Sequence, residues 1–229
     1  MIRRRTLLMG SVGAIASGIA VAAPAVSERR LSNRLELWHE YAKRTENLLA
    51  RVSTERETSL LEEPIVATGS LLFLSPGTLI LRDDSIDGST TVIDATGTKI
   101  LSNREGLPPG PSTPVGSEPA ADWLAARLVR LFAPSEPEAL IEDCRTVVPK
   151  GRGYRLDLLP PRGSAIRRVL RSVTITMDPA AGAITRIVIA EAQGDRVTLG
   201  VSDHRQNLEA QDLAAVTGPL GELGIDLPG

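Results

Sequence analysis

A segment in the first half of the chain carries apolar side chains on both faces of a predicted hairpin. Residues 62–84 read EEPIVATGSLLFLSPGTLILRDD. Two sets occupy alternate positions: Leu71, Phe73 and Leu79 in one, and Leu72, Leu74 and Ile80 in the other. A hairpin at a protein surface normally exposes one face and alternates apolar with polar residues. The segment therefore predicts either helices on both faces of the sheet, or a curved sheet whose apolar concave face the chain does not fill completely.

The N-terminal segment has the three parts of a secretory signal peptide. The basic residues 3–5 precede an apolar run of small residues, 6–23, which contains an Ala-x-Ala site ending at Ala22. A transmembrane anchor is the alternative, but the run is rich in Gly, Ala and Ser. Arg4-Arg5-Thr6-Leu7-Leu8 also resembles a twin-arginine signal, so both export routes stay open. We expect cleavage after Ala22, with Ala25 as the alternative, a periplasmic location, and no lipid anchor because the site lacks a cysteine.

The composition and motifs argue against several functional classes. A net charge of −2 predicts no nucleic-acid partner. Cys144 is the single cysteine, and His39 and His204 are far apart, so neither a disulfide within the chain nor a soft-metal site is predicted. The sequence lacks a P-loop, a dinucleotide fingerprint and a G-x-S-x-G nucleophile elbow. Asp203-His204 is the remaining catalytic candidate, and we predict that the protein is not an enzyme and needs no cofactor.

The first half of the chain predicts one helix followed by short strands. Leu31, Leu35, Trp38 and Ala42 recur at helical spacing, with Ser27 as the predicted cap. Turn signals separate the strands predicted at residues 52–60, 67–74, 78–82, 90–95 and 98–102. The following residues, 105–119, include five prolines and three glycines, and we expect them to connect elements without pairing into a sheet.

The second half predicts another helix and an antiparallel meander. The helix, with Ser117 as a predicted cap, carries an apolar stripe formed by Trp123, Leu124, Leu128, Leu131 and Phe132. Strands are predicted at residues 140–148, 154–158, 169–177, 184–191 and 197–201. The close spacing of the later strands makes them antiparallel neighbours. The chain thus predicts one α+β domain over residues 27–207 and a tail, 208–229, that is a short helix or partly disordered.

Basic residues cluster in sequence between two of the predicted strands. Arg162, Arg167, Arg168 and Arg171 lie within ten residues of one another. A solvated surface is the ordinary interpretation of such a cluster. The functional interpretation is contact with an anionic surface or partner.

The hairpin with apolar residues on both faces lies within a segment that resembles a known family. EEPIVATGSLLFLSPGTL is similar to the signature region of LolA-like proteins, periplasmic carriers that take lipoproteins to the outer membrane. Gly69-Ser70-Leu71 and Pro76 match its strand and turn, and residues 154–207 follow the family's later order of strands and turns. One position departs, because the family pattern has an arginine before the proline and this chain has Ser75. A guanidinium donates five hydrogen bonds and a serine one, so Ser75 offers fewer hydrogen bonds than the arginine that helps to hold the lid closed in the family.

The resemblance implies a curved antiparallel sheet that forms an incomplete β-barrel covered by helices, with an apolar cavity for acyl chains. It implies a monomeric carrier of acylated lipoprotein or lipid, served by an inner-membrane release complex and an outer-membrane acceptor. The alternative is a non-enzymatic envelope sensor or binding module. The outer side of the hairpin is expected to pack at the sheet edge or on the N-terminal helix. The predicted ligand-binding residues are Leu72, Leu74, Val92, Trp123, Leu124, Leu128, Leu131, Ile175, Val188 and Leu199.

Overall fold

The computed structural model describes residues 26–104, 112–114, 116, 118–150 and 153–222. The predicted signal peptide, 1–22, and the predicted cap Ser117 lie outside these ranges. The helices in the described ranges are α1 Val26–Ala42, α2 Pro119–Arg130, α3 Pro137–Ile141 and α4 Ala210–Glu222, with a short 3-10 helix at Ala165–Arg168. None of the helices in these ranges is long and apolar enough to cross a membrane.

One antiparallel sheet contains all the strands of the described residues. These strands are β1 Asn47–Glu57, β2 Ile65–Leu74, β3 Thr78–Asp83, β4 Ser89–Asp94, β5 Gly97–Ser102, β6 Ser112–Pro114, β7 Arg145–Val147, β8 Tyr154–Leu159, β9 Leu170–Met177, β10 Ile184–Glu191 and β11 Arg196–Gln206. Their order is β6-β5-β4-β3-β2-β1-β11-β10-β9-β8-β7. The sheet does not close, since β6 and β7 are its two edges. The predicted α+β fold with an incomplete barrel is confirmed.

Several predicted boundaries were wrong. Ser27 lies inside α1 and is not its cap. The first strand begins at Asn47, five residues before its predicted start at Val52, because Leu48 and Ala50 already alternate as buried strand residues. The proline-rich connection was expected not to pair, yet Ser112–Pro114 forms strand β6. This strand is at the sheet edge, where a proline is tolerated because no further strand needs its missing N–H.

The strand predicted at residues 140–148 is only partly a strand. Pro137 stands at the first turn of a short helix that continues to Ile141, since proline has the φ angle of a helix start. Only Arg145–Val147 then pairs with β8. The mixed order of polar and apolar residues in this segment did not distinguish the short helix from the short edge strand that follows it.

Helices on both sides explain why the hairpin is apolar on both faces. Leu71, Phe73 and Leu79 belong to the main core, beneath α1 and α2. The opposite face forms a separate cluster of Leu72, Leu74, Ile80 and Val92 with Leu220 of α4, and with Leu213 and Val216 packed against it. The expectation that the outer side packs on the N-terminal helix is therefore wrong. The C-terminal segment, predicted to be a helix or partly disordered, is the helix that covers it.

The main core holds α1 and the end of α2 together. Trp38 is fully buried, and its indole N–H donates to the carbonyl of Leu131 at 2.9 Å. Phe132, directly after α2, is 2% exposed in the same core. Gly182 approaches the end of α1 so closely that an added Cβ would lie 2.3 Å from the carbonyl oxygen of Leu37. Helix α1 thus covers the end of the sheet where β9 turns into β10.

Stability at alkaline pH is expected to depend on Tyr41. Burial raises its pKa to about 12, and its hydroxyl has no hydrogen-bond partner among the described residues. A tyrosine in an unfolded chain titrates near pH 10. Below pH 10 the hydroxyl is protonated in both states, and from about pH 10 to 12 only the unfolded state loses its proton. The free energy of unfolding should therefore fall by about 2 kcal/mol over that interval.

Urea unfolding at pH 9, 10 and 11 measures this dependence, with Tyr41→Phe as the matched control. The variant keeps the ring and lacks the titrating proton, so its loss of stability with rising pH should be smaller than that of the wild type. Equal slopes for the two proteins between pH 10 and 11 contradict the assignment.

Candidate functional site

Two cavities lie at one end of the sheet. At this end β1 finishes with Glu57, β2 begins with Ile65, β9 begins with Leu170 and β10 finishes with Glu191. Because neighbouring strands run antiparallel, these residues share one margin of the sheet, which we call the open end. Helix α1 covers the opposite end. The open end is thus the place where a ligand can reach the concave face.

The first cavity lies between the N-terminal half of α2 and the start of β9, and we call it the α2 cavity. It has a volume of about 470 Å³. Its walls are mainly apolar or small side chains with two carboxylates: Pro119, Ala120, Ala121, Leu124, Ala165, Val169, Leu170, Glu118 and Glu191. This volume lies in the range of small-molecule sites. Because its walls are mainly apolar, the α2 cavity suits an apolar ligand of small-molecule size.

The second cavity, the sheet cavity, occupies the concave face of β1 to β4 and β11 at the same end. Its volume is about 420 Å³. Apolar positions such as Val52, Leu81 and Leu199 alternate there with polar ones such as Thr54 and Thr91. This cavity is more polar than the α2 cavity and suits a ligand with mixed character.

Helix α2 is anchored to its neighbours by hydrogen bonds from three of its side chains. Arg130 donates to the carbonyl of Ala139 at 2.7 Å and to the Glu142 carboxylate at 2.9 Å. Arg127 donates to the carbonyl of Glu142, and the Trp123 indole donates to the carbonyl of Asp143 at 3.3 Å. These bonds fix the helix end without the arginine that the family pattern places before the proline.

Arg127 is a buried cation that packs on an aromatic ring. Its guanidinium lies 4.9 Å from the centroid of the Trp123 ring, within the range of a cation–π contact. Burial lowers the pKa of Arg127. Burial likewise raises the pKa of the Cys144 thiol, which donates to the carbonyl of Ile141 at 3.0 Å. A raised thiol pKa disfavours the reactive thiolate, so this cluster supports the helix rather than a reaction.

The two histidines take part in backbone contacts. Nδ1 of His39 lies 3.1 Å from the carbonyl oxygen of Ser135, and Nε2 of His204 lies 2.8 Å from that of Ile184. The Tyr41 ring stands edge-on to His204 at 6.3 Å. In the described part of the chain, no three His, Cys, Asp or Glu side chains group as a metal site.

The predicted ligand-binding residues fall into three places. Leu124 lines the α2 cavity and Leu199 lines the sheet cavity. Trp123, Leu128, Leu131 and Ile175 are packed in the main core. Leu72, Leu74 and Val92 lie on the outer face under α4, and Val188 lines a groove on the outer face. The outer-face placements correct the predicted facing, since neighbouring strand residues point to opposite faces and the pattern alone did not fix which.

Sequence reasoning missed the small residues that shape the α2 cavity. Ala120 and Ala121 begin α2, and Ala165 begins the 3-10 helix opposite. Val169 was assigned to the following strand, but it precedes β9 and is 52% exposed. The useful signal was Pro119 followed by two alanines, which predicts a helix whose first turn carries only small side chains. Small side chains in this turn leave space between the helix and the sheet.

Comparison with known proteins finds matches among solved structures. No family model matches the sequence, and no curated protein matches it. A LolA superfamily protein from Nitrosomonas europaea is 11% identical and covers 82% of this chain and 97% of its own, with a TM-score of 0.42. An outer membrane lipoprotein-sorting protein domain from Vibrio parahaemolyticus is 13% identical, with coverages of 82% and 98% and a TM-score of 0.32.

The lipoprotein LppX of Mycobacterium tuberculosis is a further structural neighbour. It is 12% identical and covers 80% of this chain and 98% of its own, with a TM-score of 0.39. The structural neighbours include LolA superfamily and lipoprotein-sorting proteins, the family that the sequence resembles.

Proposed function

We propose that the protein is a non-enzymatic periplasmic carrier that holds the acyl chain of a lipid or lipoprotein in the α2 cavity. The apolar lining of that cavity is the observation that supports the proposal. Its carboxylates, Glu118 and Glu191, belong to residues at the start of α2 and the end of β10. An acyl chain is the ligand whose chemistry fits walls of Leu, Val, Ala and Pro.

The energetics favour such a ligand. Each methylene removed from water stabilises the complex by about 0.8 kcal/mol. A chain of roughly ten buried methylenes then gains on the order of 8 kcal/mol before ordering costs are subtracted. The sheet cavity at the same end has mixed polarity, so it suits the part of the cargo next to the acyl chain. Together the two cavities fit an amphipathic molecule.

Exposed apolar residues surround the open end and support transfer to an acceptor. Leu60 is 88% exposed in the β1–β2 loop, and Ile86 is 76% exposed in the β3–β4 loop. Val169 lies beside the α2 cavity with half of its surface exposed. Exposed apolar side chains at this margin are available to contact a membrane or a partner protein. The partners we propose are an inner-membrane complex that releases the cargo to the carrier and an outer-membrane acceptor that receives the acyl chain.

Native mass spectrometry tests the proposal on protein purified from the periplasm without detergent. We expect adducts in the mass range of lipids that disappear on organic extraction and return when fatty acid is added to the stripped protein. A protein that stays without ligand after fatty acid is added would falsify the carrier proposal. A tight protein adduct in place of lipid would instead favour a sensor or binding module.

A further inference from the structure

A groove on the outer face of the sheet gathers four arginines. It crosses β8 to β11, has a volume of about 410 Å³, and is lined by Arg155, Arg171, Arg186 and Arg196. The strand residues between the arginines include Ser172, Thr174 and Thr176, which add hydroxyl groups to the lining. We propose that this arginine groove binds a phosphate group, carried by a soluble phosphate compound or by a lipid headgroup.

The register of the strands brings the arginines around common neighbours. Arg155 of β8 and Arg186 of β10 both pair with Thr176 of β9, from its two sides. Strands lie about 4.8 Å apart, so roughly 10 Å separates the two backbones. On the next strand, Arg196 pairs with Ala190, which pairs with Ser172. Long side chains from these positions surround a shared floor of hydroxyl groups.

Ion pairs among the described residues involve two of the four groove arginines. The Arg155 side chain contacts the Asp157 carboxylate at 3.2 Å, and Arg196 lies 3.6 Å from Glu57. Arg171 and Arg186 form no ion pair with any residue that the structure describes. Asp157 also accepts a hydrogen bond from Thr174 at 2.8 Å. Of the four arginines that cluster in the sequence, Arg171 is the one that lines this groove.

The charge balance selects the ligand class. Four arginines and the two carboxylates that pair with them leave an excess of two positive charges, 4 − 2 = 2. A phosphate monoester carries a charge of about −1.5 to −2 at neutral pH, whereas a carboxylate carries one negative charge. A guanidinium also offers a planar fork of donors that fits phosphate oxygens. A phosphate group therefore matches the groove in both charge and donor geometry.

The site is independent of the proposed acyl site, because it lies on the opposite face of the sheet. Leu156, Val173 and Ile175 of the main core alternate along β8 and β9 with the residues that line the groove. A protein that does not bind phosphate in the groove can therefore still be an acyl-chain carrier. Likewise, a protein that does not bind an acyl chain can still bind phosphate in the groove. The two can be tested in the same protein with different ligands.

Binding of inorganic phosphate, measured by isothermal titration calorimetry, tests the proposal directly. The double variant Arg171→Ala/Arg186→Ala should weaken binding at least about tenfold, since each removes charged hydrogen bonds. The double variant Arg171→Lys/Arg186→Lys keeps both charges but loses the planar donor fork of arginine. Its phosphate affinity should therefore lie between those of the wild type and the double alanine variant. The matched control is Arg29→Ala/Arg30→Ala, which removes two exposed charges from α1 and should bind as the wild type does.

Sedimentation with phosphatidylcholine vesicles, with and without phosphatidic acid, identifies the source of the phosphate group. Binding that requires phosphatidic acid and is lost in Arg171→Ala/Arg186→Ala supports a lipid headgroup. Binding of inorganic phosphate without vesicle binding supports a soluble phosphate compound. The proposal is overturned if the control pair weakens binding as much as the groove pair, or if the wild type binds neither probe saturably. Urea midpoints confirm that each variant is folded.

Discussion

Gly69→Ala is expected to destabilise the protein by about 3 kcal/mol or more. A Cβ at this position would lie 1.9 Å from the carbonyl oxygen of Arg82 and 2.9 Å from its carbon, both of them backbone atoms of β3. A flexible side chain could move aside, but here the paired strand itself would have to shift. Gly69 and Asp83 are the last pair of the β2–β3 ladder, next to the sheet cavity. The substitution should therefore separate the strands at the open end.

A second glycine in the same hairpin provides the control. A Cβ on Gly77 would lie 3.6 Å from a methyl group of Val129, which is an ordinary contact. Gly77→Ala should change the free energy of unfolding by less than about 1 kcal/mol. Urea unfolding of the wild type and both variants measures the difference. Equal stabilities for the two alanine variants contradict the close-approach argument.

Turn signals and alternation located most of the strands. The predicted segments at residues 67–74, 78–82 and 184–191 agree with β2, β3 and β10 to within two residues. These segments are rich in apolar residues and bounded by Gly, Pro or Asp, so the apolar pattern and the flanking turn residues predict the same strand limits. The short helix at Pro137–Ile141 and the edge strand at Ser112–Pro114 were missed. Each is too short for its own periodicity to be read.

The facing of the strands could not be predicted from the sequence. Leu72 and Leu71 are both buried leucines, yet they belong to different clusters on opposite faces. Which face is concave depends on where α1, α2 and α4 pack, and this is a tertiary property. The position of the α2 cavity could not be predicted for the same reason, because its walls come from α2, the 3-10 helix and residues at the ends of β9 and β10. Of the residues predicted on and directly after α2, Leu124 lines the α2 cavity, whereas Trp123, Leu128 and Leu131 lie in the main core.

Two leucines on α2 should separate ligand binding from stability. Leu128 is 6% exposed in the main core, whereas Leu124 lines the α2 cavity. Leu128→Asp buries a carboxylate and should destabilise the fold by about 4 kcal/mol or more. Leu124→Asp places the carboxylate in the cavity instead. It should weaken fatty-acid binding on the order of 30-fold while costing about 1 kcal/mol of stability.

Displacement of a fluorescent fatty acid gives the affinity, and urea unfolding gives the stability of the same samples. Ala126→Asp is the matched control, since two residues along a helix reverse the direction of the side chain and the added charge is the same. It should retain fatty-acid affinity, because Ala126 does not line the cavity. If Leu124→Asp binds fatty acid as tightly as Ala126→Asp, the acyl chain does not occupy the α2 cavity. The sheet cavity, lined by Leu81 and Leu199, then becomes the place to test.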